Sequence, residues 1–387
     1  MMKRILLSTI AIATMASAGG LDNTTTYVTS DNANAEIEAL KAQMATMMNK
    51  IEELEKSKAS QKTTAPKHKA TTVKSHVPVL KFSGTHYLGF VASKNEDGVH
   101  SDQFETRRNY LQVKAYMEEG SKDYMRITLD TYDDAVGQTG VRLKYAYLYL
   151  DNVLPNTGVE FGQAHRPWID YEEHNSWNYR SISKVLVEAK QGAHLTNSAD
   201  RGINFKTKTP YISSELGVFN GEGYHNAQVK NDFSGEWRLT GHLLGTGKEK
   251  AKPSKTYANL SFFGQQNKGY KGAEDLNWMG LHAVYNQPEF LVAAQYVDVP
   301  DGTIDQKGKG YSVNGEYRFA KDWNALARYD LFDMDDNSGK RKRTLAGISY
   351  KYNKNVEFIA NYLKEDGSKL TNAQKQDAGM LTAQVEW

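Results

Sequence analysis

Five basic residues, Arg108, Lys114, Arg126, Arg142 and Lys144, recur on one parity of three consecutive alternating stretches near 106–118, 122–133 and 139–151. In "LQVKAYMEE", Leu111, Val113, Ala115 and Met117 take one face, and Gln112, Lys114, Tyr116 and Glu118 take the other. Side chains of a strand alternate between its faces, so this spacing gathers the cations on one wall. Convergent guanidinium and ammonium groups are the chemistry of anion recognition, with Arg able to hold phosphate or carboxylate in bidentate fashion. Acids also read inward on their own strands, among them Glu118, Asp130, Glu160, Glu215 and Glu316, so no unbroken basic ladder is evident. Arg107 falls on the opposite parity and reads as a rim residue. Arg201 goes with Ile203 and Phe205 and reads the same way.

A second charged group lies in 165–199, "HRPWIDYEEHNSWNYRSISKVLVEAKQGAHLTNSA", too long for a plain turn. Its Trp168 and Trp177 imply packing on something. Arg166, Arg180 and Lys184 are its basic candidates. Glu172 and Glu173 join Asp130 and Glu160 as acidic ones. A mixed-charge loop against a polar wall makes an eyelet, where field and width sort solutes.

Other chemistries find little footing. The chain has no Cys, which excludes disulfides and thiolate metal sites. His174 beside Glu172 and Glu173 lacks the helical pair spacing and the third ligand of a metal site. No nucleophile-elbow pattern occurs, so a hydrolase is only a rival reading. The sequence calls for no metal, no cofactor and no nucleic acid.

The elements that must position these charges are strands. From residue 79 the hydrophobic period is two, in about sixteen segments of roughly 9–13 residues, long enough to cross a bilayer when tilted. The composition agrees, with 23 Tyr and 31 Gly against 8 Pro and only 39% hydrophobic residues. Connections alternate between tight ones, such as "KTP", "NQPE" and "AKD", and longer polar ones at 93–105, 220–234, 267–275, 300–307 and 366–375. Aromatic residues such as Trp278, Tyr285, Phe319 and Trp323 fall near segment ends, as in the girdles of membrane proteins. The pattern predicts an all-β fold, a transmembrane antiparallel β-barrel of about sixteen strands over 79–387, with 165–199 folded inward. A soluble multi-sheet protein would not need aromatic strand ends.

The flanks fit an exported chain. "MMKRILLSTIAIATMASAGG" has Lys3 and Arg4, an apolar core and an Ala16-Ser17-Ala18 cleavage pattern, which predicts a signal peptide over 1–18. Its removal takes two bases and no acid, so the formal charge falls from +2 to 0. In 19–55, Ile37, Leu40, Met44, Met47, Ile51 and Leu54 form an apolar seam of alternating three- and four-residue steps. That predicts a short periplasmic coiled coil and an oligomer. Residues 56–78 hold six Lys and no acid, the composition of a solvated linker, with contact to the cell wall as the sharper alternative. A barrel adhesin or tether is therefore a further rival function. In "DAGMLTAQVEW", Gly379, Leu381, Ala383, Val385 and Trp387 share one parity. Val385 and Trp387 read as lipid-facing parts of an assembly signal, recognised by the barrel-assembly machinery.

Residues 104–223 resemble the phosphate-selective porin O and P family. The matching pieces are "RRNYLQVKAYME", "LKYAYLYLDNVLPNTGVEFGQAHRPW", "DRGINF" and "LGVFNGEGY", in the family's order; the last 160 residues or so match in architecture only. The resemblance implies a homotrimeric, sixteen-stranded outer-membrane porin whose segment after the fifth strand narrows the barrel. The expected function is passive diffusion of small hydrophilic solutes, and the inward basic residues of 106–151 with Arg166, Arg180 and Lys184 add an expected preference for anions such as phosphate or small organic acids.

Overall fold

The computed structural model describes 79–387, except 134–136, 227–231, 271–273, 336–338 and 373, and ten residues between 38 and 53. The expected signal peptide, the seam residues of the coiled coil and the Lys-rich linker lie outside the described residues. Those described between 38 and 53 are helical, with Lys41 and Glu38 paired at 2.9 Å and Thr46 Oγ1 donating to the Ala42 carbonyl. They belong to a compact unit, Met1–Lys74, separate from the unit formed by Ser75–Trp387.

The second unit is a closed antiparallel barrel. Its strands are β1 (Val79–Asn95), β2 (His100–Tyr116), β3 (Tyr124–Asp133), β4 (Thr139–Leu154), β5 (Thr157–His165), β6 (Ala199–Lys208), β7 (Ile212–Phe219) and β8 (Ser234–Leu244). They continue as β9 (Tyr257–Asn267), β10 (Leu276–Asn286), β11 (Phe290–Asp301), β12 (Gly308–Ala320), β13 (Trp323–Met334), β14 (Gly339–Lys351), β15 (Val356–Asp366) and β16 (Gln376–Glu386). Each strand pairs with its sequence neighbours. β16 closes on β1 from Thr85 opposite Glu386 to Asn95 opposite Gln376, so no edge is left open. Trp387 extends the seam, exchanging both backbone hydrogen bonds with Gly84 at 2.9 and 3.0 Å. Glycine leaves room for the Trp387 ring, since a Cβ on residue 84 would stand 2.5 Å from it and force the ring to shift.

Turn chemistry is local. Asn152 and Asn156 beside the β4–β5 turn, and Asp322 in the β12–β13 turn, hold positive φ, which Asn and Asp tolerate better than other side-chain-bearing residues. Two connections differ from the sequence reading. The expected long loop over 93–105 is mostly strand, because β1 runs to Asn95 and β2 starts at His100. Conversely, 245–256 is a long connection on the rim where the others span two to seven residues.

Burial runs inside out. Thr240, Ser261, Asn314, Asp330, Ser349 and Thr382 point inward and are buried, whereas Leu216, Leu239, Leu281, Val313, Phe358 and Leu381 point outward and are exposed. Strict alternation fails on the inner face of β9–β15, which carries Phe263, Leu276, Trp278, Val297, Phe332 and Leu345. These meet the segment between β5 and β6, whose one helix is α1 (Ile169–Asn175). Trp168, Ile169, Trp177, Leu186 and Leu195 of that segment complete the cluster, so the main apolar core sits inside the barrel, to one side.

Candidate functional site

The inward segment is fastened along the β8–β14 wall. Trp168 stacks on Phe263 with ring centroids 3.5 Å apart and meets the His282 ring edge-on. Arg166 forms a buried pair with Glu236 and also donates to Gln265 at 2.9 Å. Asn314 donates to the Ser176 carbonyl at 2.7 Å, and Tyr257 to the Asn175 carbonyl at 2.8 Å. Farther along, Arg343 donates to Ser183 and to the Lys184 carbonyl, and Arg341 to the Gly192 carbonyl. Backbone carbonyls that a loose loop would give to water are thus held by the wall, as buried polar groups require.

This fastening places the charged candidates. Arg166 and Glu172 were expected at an eyelet, but both are buried against the wall. Arg166 is neutralised by Glu236. Glu172 accepts from Trp168 Nε1 at 2.8 Å and lies 3.6 Å from Arg328. Arg180 bridges Glu173 and Glu188, the latter at 2.5 Å, and Lys184 reaches the same Glu188 at 3.1 Å. The segment's two remaining basic candidates, Arg180 and Lys184, are therefore balanced by two acids, Glu173 and Glu188, and add no net positive charge at this point. Sequence order could not show this pairing.

The cations accumulate on the facing wall, β2–β4. Arg108 and Arg142 share one acid, Asp130, at 3.3 and 2.7 Å. Lys144 has no ion pair among the described residues and donates to the Tyr110 hydroxyl at 3.1 Å. Lys114 lies 4.5 Å from the centre of the Tyr124 ring, and the Arg126 guanidinium 4.6 Å from that of Tyr145. Arg126 also donates to the Tyr147 hydroxyl and contacts His165 Nε2 at 3.1 Å. A ring face holds a cation without cancelling its charge, as a carboxylate would. Among the described residues these five cations thus have one carboxylate partner, Asp130, while Arg107 of the same wall is paired with Glu105 at 2.8 Å. Arg180 of the segment stands within electrostatic reach of Arg108, Tyr110 and Lys144. Glu160 is committed below them, to Lys206 at 3.2 Å and His165 at 3.1 Å.

Two β-bulges build this wall. Tyr87 pairs with Arg108 and Leu88 with Thr106, so Arg107 is the extra residue. Its guanidinium turns inward, donating to Thr382 Oγ1 at 2.8 Å and to the Ser181 carbonyl at 3.1 Å. The parity argument had put it at the rim; the bulge reverses the parity at that point. Thr128 pairs with Tyr145 and Leu129 with Leu143, so Lys144 is the extra residue of β4. That bulge lets Arg142 and Lys144 share the interior with Tyr145 and Tyr147, which have the opposite parity. The tyrosines were missed for the same reason. The repeat "YAYLY" was the available signal, but alternation alone assigned it to the outer face. Arg201 is exposed beside the outward-facing Phe205.

Val385 pairs with His86 and Val356 on the outward parity, and Trp387 is exposed with its Nε1 donating to His86 Nε2 at 3.0 Å. Exposed Phe, Leu and Val on the outer face of most strands, around an interior of buried polar groups, is the reverse of a water-soluble β protein. The comparison with solved structures agrees. An anion-selective porin from Comamonas acidovorans superposes with a TM-score of 0.58 at 14% identity, covering 80% of this chain and 99% of that one. The fold is that of the outer-membrane porins. Salmonella typhi OmpF in complex with daunomycin gives 0.58 at 12% identity, over 80% of this chain and 98% of that one. The trimer form of Vibrio cholerae OmpT gives 0.54 at 11%, over 80% and 100%. No family model and no curated relative matches the chain.

Proposed function

We propose that the protein is an outer-membrane porin through which small hydrophilic solutes diffuse passively, with small anions preferred. One observation carries the preference: Arg108, Lys114, Arg126, Arg142 and Lys144 on the β2–β4 wall have one carboxylate partner among the described residues, Asp130, and three of them rest on tyrosines rather than acids. In a confined passage such a field raises the local concentration of counter-ions. Phosphate and small organic acids are suitable solutes, because Arg108, Arg142 and Lys144 offer several donors around Tyr110. The resemblance of 104–223 to phosphate-selective porins points the same way, as does the anion-selective porin among the structural neighbours. The inside-out barrel supports an outer-membrane location, with outer-membrane lipid around Leu381, Phe358 and their neighbours. A homotrimer is the proposed assembly, supported by the apolar seam from Ile37 to Leu54 and by the trimeric OmpT.

The test is the reversal potential of the reconstituted protein in a KCl gradient. A potential of the sign set by chloride supports the reading, and it should shrink as salt is raised, because the Debye length falls from about 10 Å at 0.1 M to about 3 Å at 1 M. A potassium-preferring channel would end the anion reading. Absence of conductance steps would end the pore reading.

A further inference from the structure

The 245–256 connection, "GTGKEKAKPSKT", is out of place on a rim of short turns, and it does not hang free. Ala251 packs on a patch formed by Tyr257, Val284, Leu291 and Ala293, all on the inner face of β9–β11. Asn286, fully buried and inward-facing, donates to the carbonyls of Pro253 and Lys255 at 3.1 and 2.5 Å. Gly247 N donates to the Pro210 carbonyl at 3.0 Å and ties the start of the connection to the neighbouring turn. The chain therefore bends from the rim into the mouth. Beneath it lies a cavity of about 210 Å³, bounded by Asn175 at the end of α1, by His242 and Asn259 of the wall, and by Glu249, Lys250 and Lys255 of the connection. The connection carries four lysines and one acid, and none of the four makes an ion pair among the described residues.

Lys114 stands two residues from the end of β2 at the same rim, within electrostatic reach of Arg126 and Lys250 and of the acids Glu160 and Asp170. Lysines without an ion pair among the described residues, brought to one opening from a strand and a connection, are placed to draw counter-ions into it. We propose that the 245–256 connection forms a second, cationic constriction at the short-turn mouth, where Lys250 and Lys114 bind small inorganic or carboxylate anions leaving or entering the β2–β4 passage. The inference rests on the porin reading above and adds a second selectivity-determining residue, Lys250, outside the inward segment and the β2–β4 wall.

Lys250→Glu and Lys248→Glu change the net charge equally, but only Lys250 borders the cavity. In bilayers, with KCl as the probe, Lys250→Glu should lower the chloride-to-potassium permeability ratio roughly threefold at low salt. Lys248→Glu should change it clearly less. Replacing 248–254 by a short Gly-Ser turn should raise single-channel conductance, and circular dichroism of the same sample should show the β content retained. Equal shifts from the two glutamates, no shift from either, or unchanged conductance in the shortened variant would overturn the constriction. Failure of the parent protein to conduct would instead overturn the porin reading on which it rests.

Discussion

Lys114 and Arg126 are direct cross-strand partners on the inner face of β2 and β3. Like charges placed opposite each other destabilise a sheet, and opposite charges contribute about 0.2–1 kcal/mol. Lys114→Glu converts the first arrangement into the second, a swing of about 0.5–2 kcal/mol in favour of the barrel. The change also removes the contact of Lys114 with the Tyr124 ring, worth about 0.5–1 kcal/mol at a partly exposed site. The net expectation runs from a barrel about 0.5 kcal/mol less stable than its parent to one about 1.5 kcal/mol more stable. Selectivity should move the other way. Two units of charge about 6 Å from a passing ion, at water-like dielectric, amount to about 1.4 kcal/mol, close to tenfold in local anion occupancy before screening. The assays are urea unfolding in lipid vesicles and the reversal potential in a KCl gradient. A stability loss above about 1 kcal/mol would refute the claim that repulsion between these residues is stored in the parent. An unchanged reversal potential would refute the claim that the β2–β4 wall sets the field of the passage.

Three further outcomes are expected. Trp168→Ala removes the stacking partner of Phe263 and the donor to Glu172, a local cost of about 3–5 kcal/mol; the inward segment should loosen and single-channel conductance rise while the barrel stays closed, and unchanged conductance would contradict the anchoring role. Leu381→Arg, at mid-strand on the outward face, should cost about 2–4 kcal/mol in vesicle unfolding, whereas Val385→Arg near the rim should cost about 0–1 kcal/mol, and equal costs would contradict a lipid-facing band centred on the strand. Deleting 19–55 should weaken the oligomer without unfolding the barrel, which closes its own hydrogen bonds; the measurement is light scattering in mild detergent, and an intact full-length chain that is already monomeric would contradict the trimer.

Period-two patterning was enough to read sixteen strands, their order and most of their ends from the chain alone, because a barrel between lipid and a polar interior must alternate at nearly every step. The outward face of β16 is an example: Leu381, Ala383 and Val385 can be assigned without coordinates. The 33 residues between β5 and β6 also announced themselves, since two tryptophans in a long polar loop imply a docking surface. Tertiary structure decided what alternation cannot encode. A bulge adds one residue and reverses parity without leaving a residue signature, so Arg107 turned inward, and Lys144 came to share the interior with Tyr145 and Tyr147. Charge pairing also depends on approach in space: Arg166 is paired with Glu236, seventy positions away, while Lys144 meets a tyrosine and no carboxylate among the described residues. The inward apolar patch of β9–β15 finds its cover only in the segment folded across it. Local spacing specifies which face a side chain takes; only the closed barrel specifies which side chains then stand opposite one another.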